Sequence, residues 1–171
     1  MKHIKPPKSP CSHRVYQLDC AEYDRLLAHA DGRCQICGVA PEGTKHGHLV
    51  VDHDASVGQW AVRGLLCSNC NTALPIGTAP EWAADYLARP WWKLELERRG
   101  VEVSPLPEPP RGSVVMACRG IRWRRTGDRW EHVANYGGLP RSWSQLQRRY
   151  GPHNIRVLSA GPVRPDEEPT A

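Results

Sequence analysis

Two Cys-x-x-Cys pairs, Cys34/Cys37 and Cys67/Cys70, are separated by 29 residues. Between them lies Val51-Asp52-His53-Asp54, and Asn71 directly follows the last cysteine. Each group has a distinct chemistry. Four thiolates supply a complete tetrahedral set for Zn²⁺, and a site closed by four protein ligands is structural rather than catalytic. An imidazole takes a proton from water near neutral pH. A carboxylate and an amide oxygen suit a hard divalent cation such as Mg²⁺ or Mn²⁺, which keeps several waters and binds phosphate. His53 is therefore the candidate base, Asp52 and Asn71 the candidate cation ligands, and together they could hydrolyse a phosphodiester. His46 and His48 are spare, because the cysteines already fill the zinc set.

The elements that must position these groups are short. Asp19 with Glu22 forms a capping box, and Tyr23, Leu26, Leu27 and Ala30 follow at helical spacing, with Gly32 as the stop. Leu49–Asp52 reads as a strand, Gly58 marks a turn, and 61–66 reads as the returning strand. Cys67 opens a short helix that Pro75 and Gly77 stop. The predicted order across the candidate centre is strand, strand, helix. Residues 81–89 and 91–99 read as two apolar helices interrupted by Pro90. Pro105, Pro107, Pro109 and Pro110 read as a stiff linker. Beyond it come a strand at 113–117, a hairpin around Thr126-Gly127-Asp128, a helix opened by the Ser142/Gln145 capping box, and a last strand at 155–158. The fold class expected is α+β, with a zinc-stapled strand–strand–helix core, flanking helices and a small α+β module. The divisions are a basic disordered arm at 1–18, a core domain at 19–100, a linker at 101–112, a basic module at 113–160 and a disordered tail at 161–171.

The run Cys34-x-x-Cys37-Gly38, Val51-Asp52-His53-Asp54, Gly58, Val62-Arg63-Gly64-Leu65-Leu66-Cys67-x-x-Cys70-Asn71 resembles the recombination endonuclease VII family, within the HNH or ββα-metal (His-Me finger) nucleases. The resemblance covers about residues 19–78. It implies zinc on the four cysteines, a catalytic divalent cation on Asp52 and Asn71, and His53 as general base. The products it implies are 5′-phosphate and 3′-hydroxyl ends, and the substrate a DNA that can be branched or structured. It also implies a homodimer built by helices after the core, where residues 81–99 lie; packing of those helices on their own core is the alternative. Family members commonly read Asp-His-Asp-His-x-Thr-Gly. Ala55 replaces the second His here and Val57 the Thr. The competing reading is a non-catalytic, zinc-containing nucleic-acid-binding protein with a degenerate site. Arg63 has two readings, a phosphate contact or a structural role in which it pairs with Asp54 or covers the strand.

Charge points to the same kind of partner. Of a formal net charge of +5, residues 111–150 carry nine arginines against two acids, a net +7. Such local excess suits a polyanion. Arg122, Arg124, Arg125 and Arg129 are the candidate DNA contacts, with Arg119, Arg148 and Arg149 also available. Trp123, Trp130 and Trp143 read as a small core. No apolar run approaches membrane length. The start of the chain has no apolar segment of the secretory kind. A bacterial or phage-infected cytoplasm is expected, where thiols stay reduced and serve metals. Cys11, Cys20 and Cys118 have no partner at ligand spacing and read as small hydrophobes or free thiols.

Overall fold

The computed structural model describes residues 11–75, 78–134 and 138–162. It forms two compact units, one up to Gly100 and one from Val101 onward. No helix among the described residues is long and apolar enough to cross a membrane.

In the first unit, a 3-10 turn at Ser12–Tyr16 precedes helix α1, Cys20–His29. The Asp19 side chain caps α1 through the Glu22 N–H, and Glu22 reaches back to the Asp19 N–H, the expected capping box. Strands β1 (Val50–His53) and β2 (Val62–Leu66) pair antiparallel, and helix α2 (Ser68–Ala73) follows directly. Residues 81–89 are not one helix. A 3-10 turn at Glu81–Ala83 runs into the short α3, Ala84–Ala88, and α4 (Trp91–Arg98) starts after Pro90. The core is built from Leu18, Leu26, Val62, Leu65, Leu66, Leu74, Tyr86 and Trp91. Tyr86 and Trp91 thus bury themselves in the core of their own chain, while Trp82 is 51% exposed.

The buried carboxylate of Glu95 on α4 accepts from Arg25 of α1 and from Arg98, and Arg99 adds a bridge to Glu22. These pairs tie α4 to α1. The two arginines hold the Glu95 carboxyl at about 2, against an opposing contribution from burial.

The expected disordered arm extends to residue 18, and residues 11–18 depart from it. They form the 3-10 turn, bury His13 and insert Leu18 into the core. Residues 1–10 lie outside the described part, as do Gly77 and 163–171, where most of the expected tail falls.

The second unit is a four-stranded antiparallel sheet in the order β5-β4-β3-β6. The strands are β3 (Val114–Met116), β4 (Arg122–Thr126), β5 (Arg129–His132) and β6 (Arg156–Ser159). Helix α5 (Trp143–Tyr150) has the expected Ser142/Gln145 capping box and packs Trp143, Leu146 and Tyr150 with Val115, Trp123 and Trp130.

The proline-rich stretch 101–112, expected as a linker, instead belongs to this unit. Leu106 donates its N–H to Gln147 and accepts from the Trp143 indole. Glu108 accepts from the Trp130 indole, and Pro109 is buried. Four prolines remove backbone donors and fix φ, so the stretch packs without forming a strand of its own.

Candidate functional site

The four cysteines converge. Cys34 and Cys37 sit in the knuckle after α1, Cys67 is the N-cap of α2, and Cys70 is one turn into it. Their sulfurs all lie within 4.8 Å of one another, and Cys37 Sγ and Cys67 Sγ are 3.8 Å apart. A tetrahedron with Zn–S bonds of about 2.3 Å has an edge of about 3.8 Å, so the spacing fits zinc. Cys67 Sγ also accepts the Cys70 N–H, capping the helix with a sulfur of the cluster itself.

The surroundings favour the thiolate at Cys34. Burial would raise the Cys34 thiol, yet the backbone N–H groups of Cys37, Cys67 and Ile36 bring it down to about 7. Burial and the neighbouring sulfurs push Cys70 up, and Cys37 is raised as well. His46 and His48 face each other at 6.0 Å between ring centroids and are not part of this cluster.

The cysteine cluster brings the knuckle after α1 to the start of α2, and α2 packs against both strands. Along β1 the register breaks between Asp52 and His53. Asp52 opposes Gly64 and His53 opposes Val62, which leaves Arg63 as the extra residue of a bulge. A bulge re-aims side chains that strict alternation would send to opposite faces. Here Arg63 turns back on Asp52, its Nε donating to Oδ2 at 2.7 Å and its Nη2 to Oδ1 at 2.8 Å. The sequence offers Asp54 as a partner for Arg63; the bulge delivers it to Asp52 instead. The Tyr86 hydroxyl of α3 donates to Asp52 Oδ2 at 2.7 Å. Burial and the facing Asp52 charge push that hydroxyl far above its ordinary value, so it stays a donor. Asp52 hydrogen bonding and charge outweigh burial at Arg63 and raise its guanidinium further.

Gly64 makes the arrangement possible. A Cβ there would lie 2.8 Å from the Tyr86 ring and would collide with the Gln35 amide, which accepts the Leu65 N–H. Only a residue without a side chain lets Tyr86 reach Asp52.

His53 ends β1, half-buried, with its ring 5.3 Å from that of Tyr16. Burial lowers its basicity and the Arg63 charge adds to that, while Asp52 and Asp54 oppose it. The imidazole is therefore neutral at pH 7, in the form that accepts a proton. Asp54 organises the turn beyond the strand, accepting from Ser56 and Val57. Asn71 lies partly buried on α2, directly after Cys70. The three hydrogen bonds to Asp52 leave one acceptor position on its Oδ1, from a carboxylate's four. Asp52 therefore has room for one further bond at most.

Residues 11–89 match the family model of recombination endonuclease VII. The match spans somewhat under half of the chain. It extends beyond the recognised run at both ends, taking in the Ser12–Tyr16 turn and Tyr86 of α3. The four cysteines, Asp52, His53, Arg63 and Asn71 all fall within the endonuclease VII match, and the arginine-rich second unit lies outside it. No curated protein and no solved structure matches the chain.

In that second unit the pleat sorts the arginines. Trp123 opposes His132 and Arg125 opposes Trp130, which places Arg125 on the core face with the tryptophans. Arg125 is accordingly mostly buried and donates to the Pro109 carbonyl at 2.6 Å, with Glu108 3.5 Å away. Its expected place among open DNA contacts does not hold, because the two-residue period turns it inward. Arg122, Arg124 and Arg129 are exposed, on the opposite face from Trp123 and Trp130. Arg156 of β6 opposes Met116, which opposes Arg122, so it joins their row across the sheet. Sequence reading misses Arg156, since its register partner is 40 residues away. It also misses the role of Tyr86, which reads as one more apolar helix residue; the local signal for it is the small residue Gly64 opposite Asp52.

Proposed function

We propose that this chain is a metal-dependent DNA endonuclease whose β1, β2 and α2 form a ββα-metal core of the HNH type. The observation that carries the reading is His53, kept neutral by burial at the end of β1 beside a carboxylate and an arginine, within the endonuclease VII match. Zinc on Cys34, Cys37, Cys67 and Cys70 staples the strands to the helix, which a unit this small needs.

Asp52, through the acceptor position left on Oδ1, and Asn71, through its amide oxygen, would hold Mg²⁺ or Mn²⁺. A cation bound there supplies positive charge to the phosphate and to the leaving oxygen. His53 accepts a proton from water as that water attacks phosphorus. The bond to the 3′ oxygen breaks, leaving a 5′-phosphate and a 3′-hydroxyl. Tyr16 packs on the imidazole and limits its rotation. Arg63 and Tyr86 hold the Asp52 carboxylate in place. Arg63 faces Asp52 with two of its nitrogens, so a phosphate contact would fall to the third.

The second unit contributes the charge that holds a polyanion. Arg122, Arg124, Arg129 and Arg156 make phosphate contacts from the open sheet face. Branched or structured DNA is the proposed substrate. A homodimer would bring two such centres to two strands, and the reduced thiols suit a bacterial or phage-infected cytoplasm.

The second reading is a DNA-binding zinc protein with a lapsed site. It is favoured by Ala55 and by the occupation of Asp52 by Arg63 and Tyr86. Incubating supercoiled plasmid and a four-way junction with the protein, with and without Mg²⁺ or Mn²⁺, separates the two. Cation-dependent cutting that His53→Ala abolishes supports the enzyme. Binding without cutting under every cation leaves the lapsed site.

A further inference from the structure

A second cluster of metal-binding side chains lies outside the four-cysteine centre. Cys11, His13 and Cys20 bring one ligand atom each to within 4.8 Å of the others. Their spacing in the chain, Cys11-x-His13 and then Cys20, matches no Cys-x-x-Cys rule and hides the site from sequence reading. The tertiary structure creates it by doubling the chain back. Gln17 takes a left-handed conformation at φ 64°, Leu18 is anchored in the core, and Asp19 caps α1. Cys11, just before the 3-10 turn, thereby meets Cys20, the first residue of α1. The sequence leads one to expect isolated thiols; the two are neighbours.

We infer that Cys11, His13 and Cys20 form a second zinc site, with a Cys₂His ligand set completed by water, that fixes the N-terminal turn over the catalytic centre. The Cys11 and Cys20 sulfurs are 4.0 Å apart. That is close to the edge of about 3.8 Å shared by two thiolates on one tetrahedral zinc, and about twice the length of a disulfide bond. The nitrogen is equally well placed. His13 is 2% exposed and its ring stacks on Tyr23 of α1 at 4.6 Å and 12°, so the imidazole is held in one orientation. Two thiolates and an imidazole are borderline-soft donors that select zinc over Mg²⁺ or Ca²⁺. Cys20 is exposed and Cys11 partly so, which gives the ion a path in from solvent.

The consequence lies three residues along the same turn. Tyr16 is the residue whose ring packs on His53. A metal that crosslinks Cys11 and His13 to the start of α1 holds this turn, and through Tyr16 it positions the imidazole. The consequence rests on the reading of His53 as the base; the metal site does not.

Metal content of the full chain is the test. Protein purified under reducing conditions from zinc-supplemented cells and dialysed free of loose metal should carry two zinc ions per chain. The Cys11→Ser/Cys20→Ser variant should carry one. A wild-type chain with one zinc overturns the inference. Iodoacetamide mapping of the wild type needs no variant to fold. Cys11 and Cys20 should resist alkylation with zinc bound and react once a chelator is added. Equal labelling in both states overturns the site, as does a crosslinked Cys11–Cys20 peptide lighter by two hydrogens. Two zincs on a protein that never cuts DNA would support the site while sinking the role given to His53.

Discussion

Replacing His53 with alanine is the most direct probe of the proposed chemistry. Its structural cost is small. The imidazole packs on Tyr16, and such an aromatic pair contributes about 0.5–1.5 kcal/mol. The four cysteines, the core and the Asp52–Arg63–Tyr86 cluster do not depend on it. The variant should therefore fold, keep its zinc and bind DNA nearly as well as wild type. Cleavage should fall by about 10²–10⁴-fold, the range of a general base, which corresponds to about 2.7–5.4 kcal/mol of barrier. The separation between these two energies is what makes the experiment decisive.

The pH profile follows from the same environment. Burial, the leading cause, lowers the pKa of His53. The base form persists to lower pH than for a free imidazole, and a cation beside it acts in the same direction. Single-turnover rates should rise with pH, pass their midpoint below about 6.5 and then level off. The assay is single-turnover cleavage of end-labelled DNA at saturating enzyme and cation across that range, with circular dichroism on both proteins. A folded His53→Ala protein that cuts at the wild-type rate refutes the assignment. So does a wild-type midpoint above the ordinary imidazole value.

The cation ligands should behave differently from the base. Asn71→Ala should raise the Mg²⁺ concentration at half-maximal rate, Asp52→Asn should raise it further, and excess Mg²⁺ or Mn²⁺ should restore part of the rate in a titration. Arg122→Gln, Arg124→Gln and Arg129→Gln together should reduce the slope of log affinity against log salt by about 0.9 for each phosphate no longer neutralised; Arg125→Gln, on the core face, should leave the slope unchanged in a fluorescence binding assay. Glu95, held at about 2 by Arg98 and Arg25, stabilises the fold above its unfolded value of 4.5, and that stability is lost as pH falls through that interval. Thermal midpoints should decline between about pH 5 and about pH 3 more steeply in wild type than in Glu95→Gln. Gly64→Ala should destabilise the first unit by about 1–3 kcal/mol in urea unfolding, because the new methyl meets the Tyr86 ring and the Gln35 amide.

Much of both units was legible from local pattern. The capping boxes at Asp19/Glu22 and Ser142/Gln145, the strand–strand–helix order and the two Cys-x-x-Cys knuckles all rest on spacings of a few residues, which the backbone converts directly into geometry. Alternation in β4 likewise placed Trp123 inward and Arg122 and Arg124 outward. Arg125 broke the expectation because one step along a strand reverses the face, and composition counts arginines without regard to that step. The proline-rich stretch misled for a related reason. Lack of regular structure does not mean lack of contacts, and Trp130, Trp143 and Gln147 supply the partners.

What only the tertiary structure decided are the contacts that close long loops. Tyr86 meets Asp52 across 34 residues, and Glu95 meets Arg25 across 70. Cys11 meets Cys20 over a short span, but only because a left-handed Gln17 and the buried Leu18 fold the turn back. Residue type and spacing along the chain determined which groups could do chemistry. Which of them are held, paired or turned away depended on packing, since a side chain's partners are set by the elements brought against it and not by its neighbours in sequence.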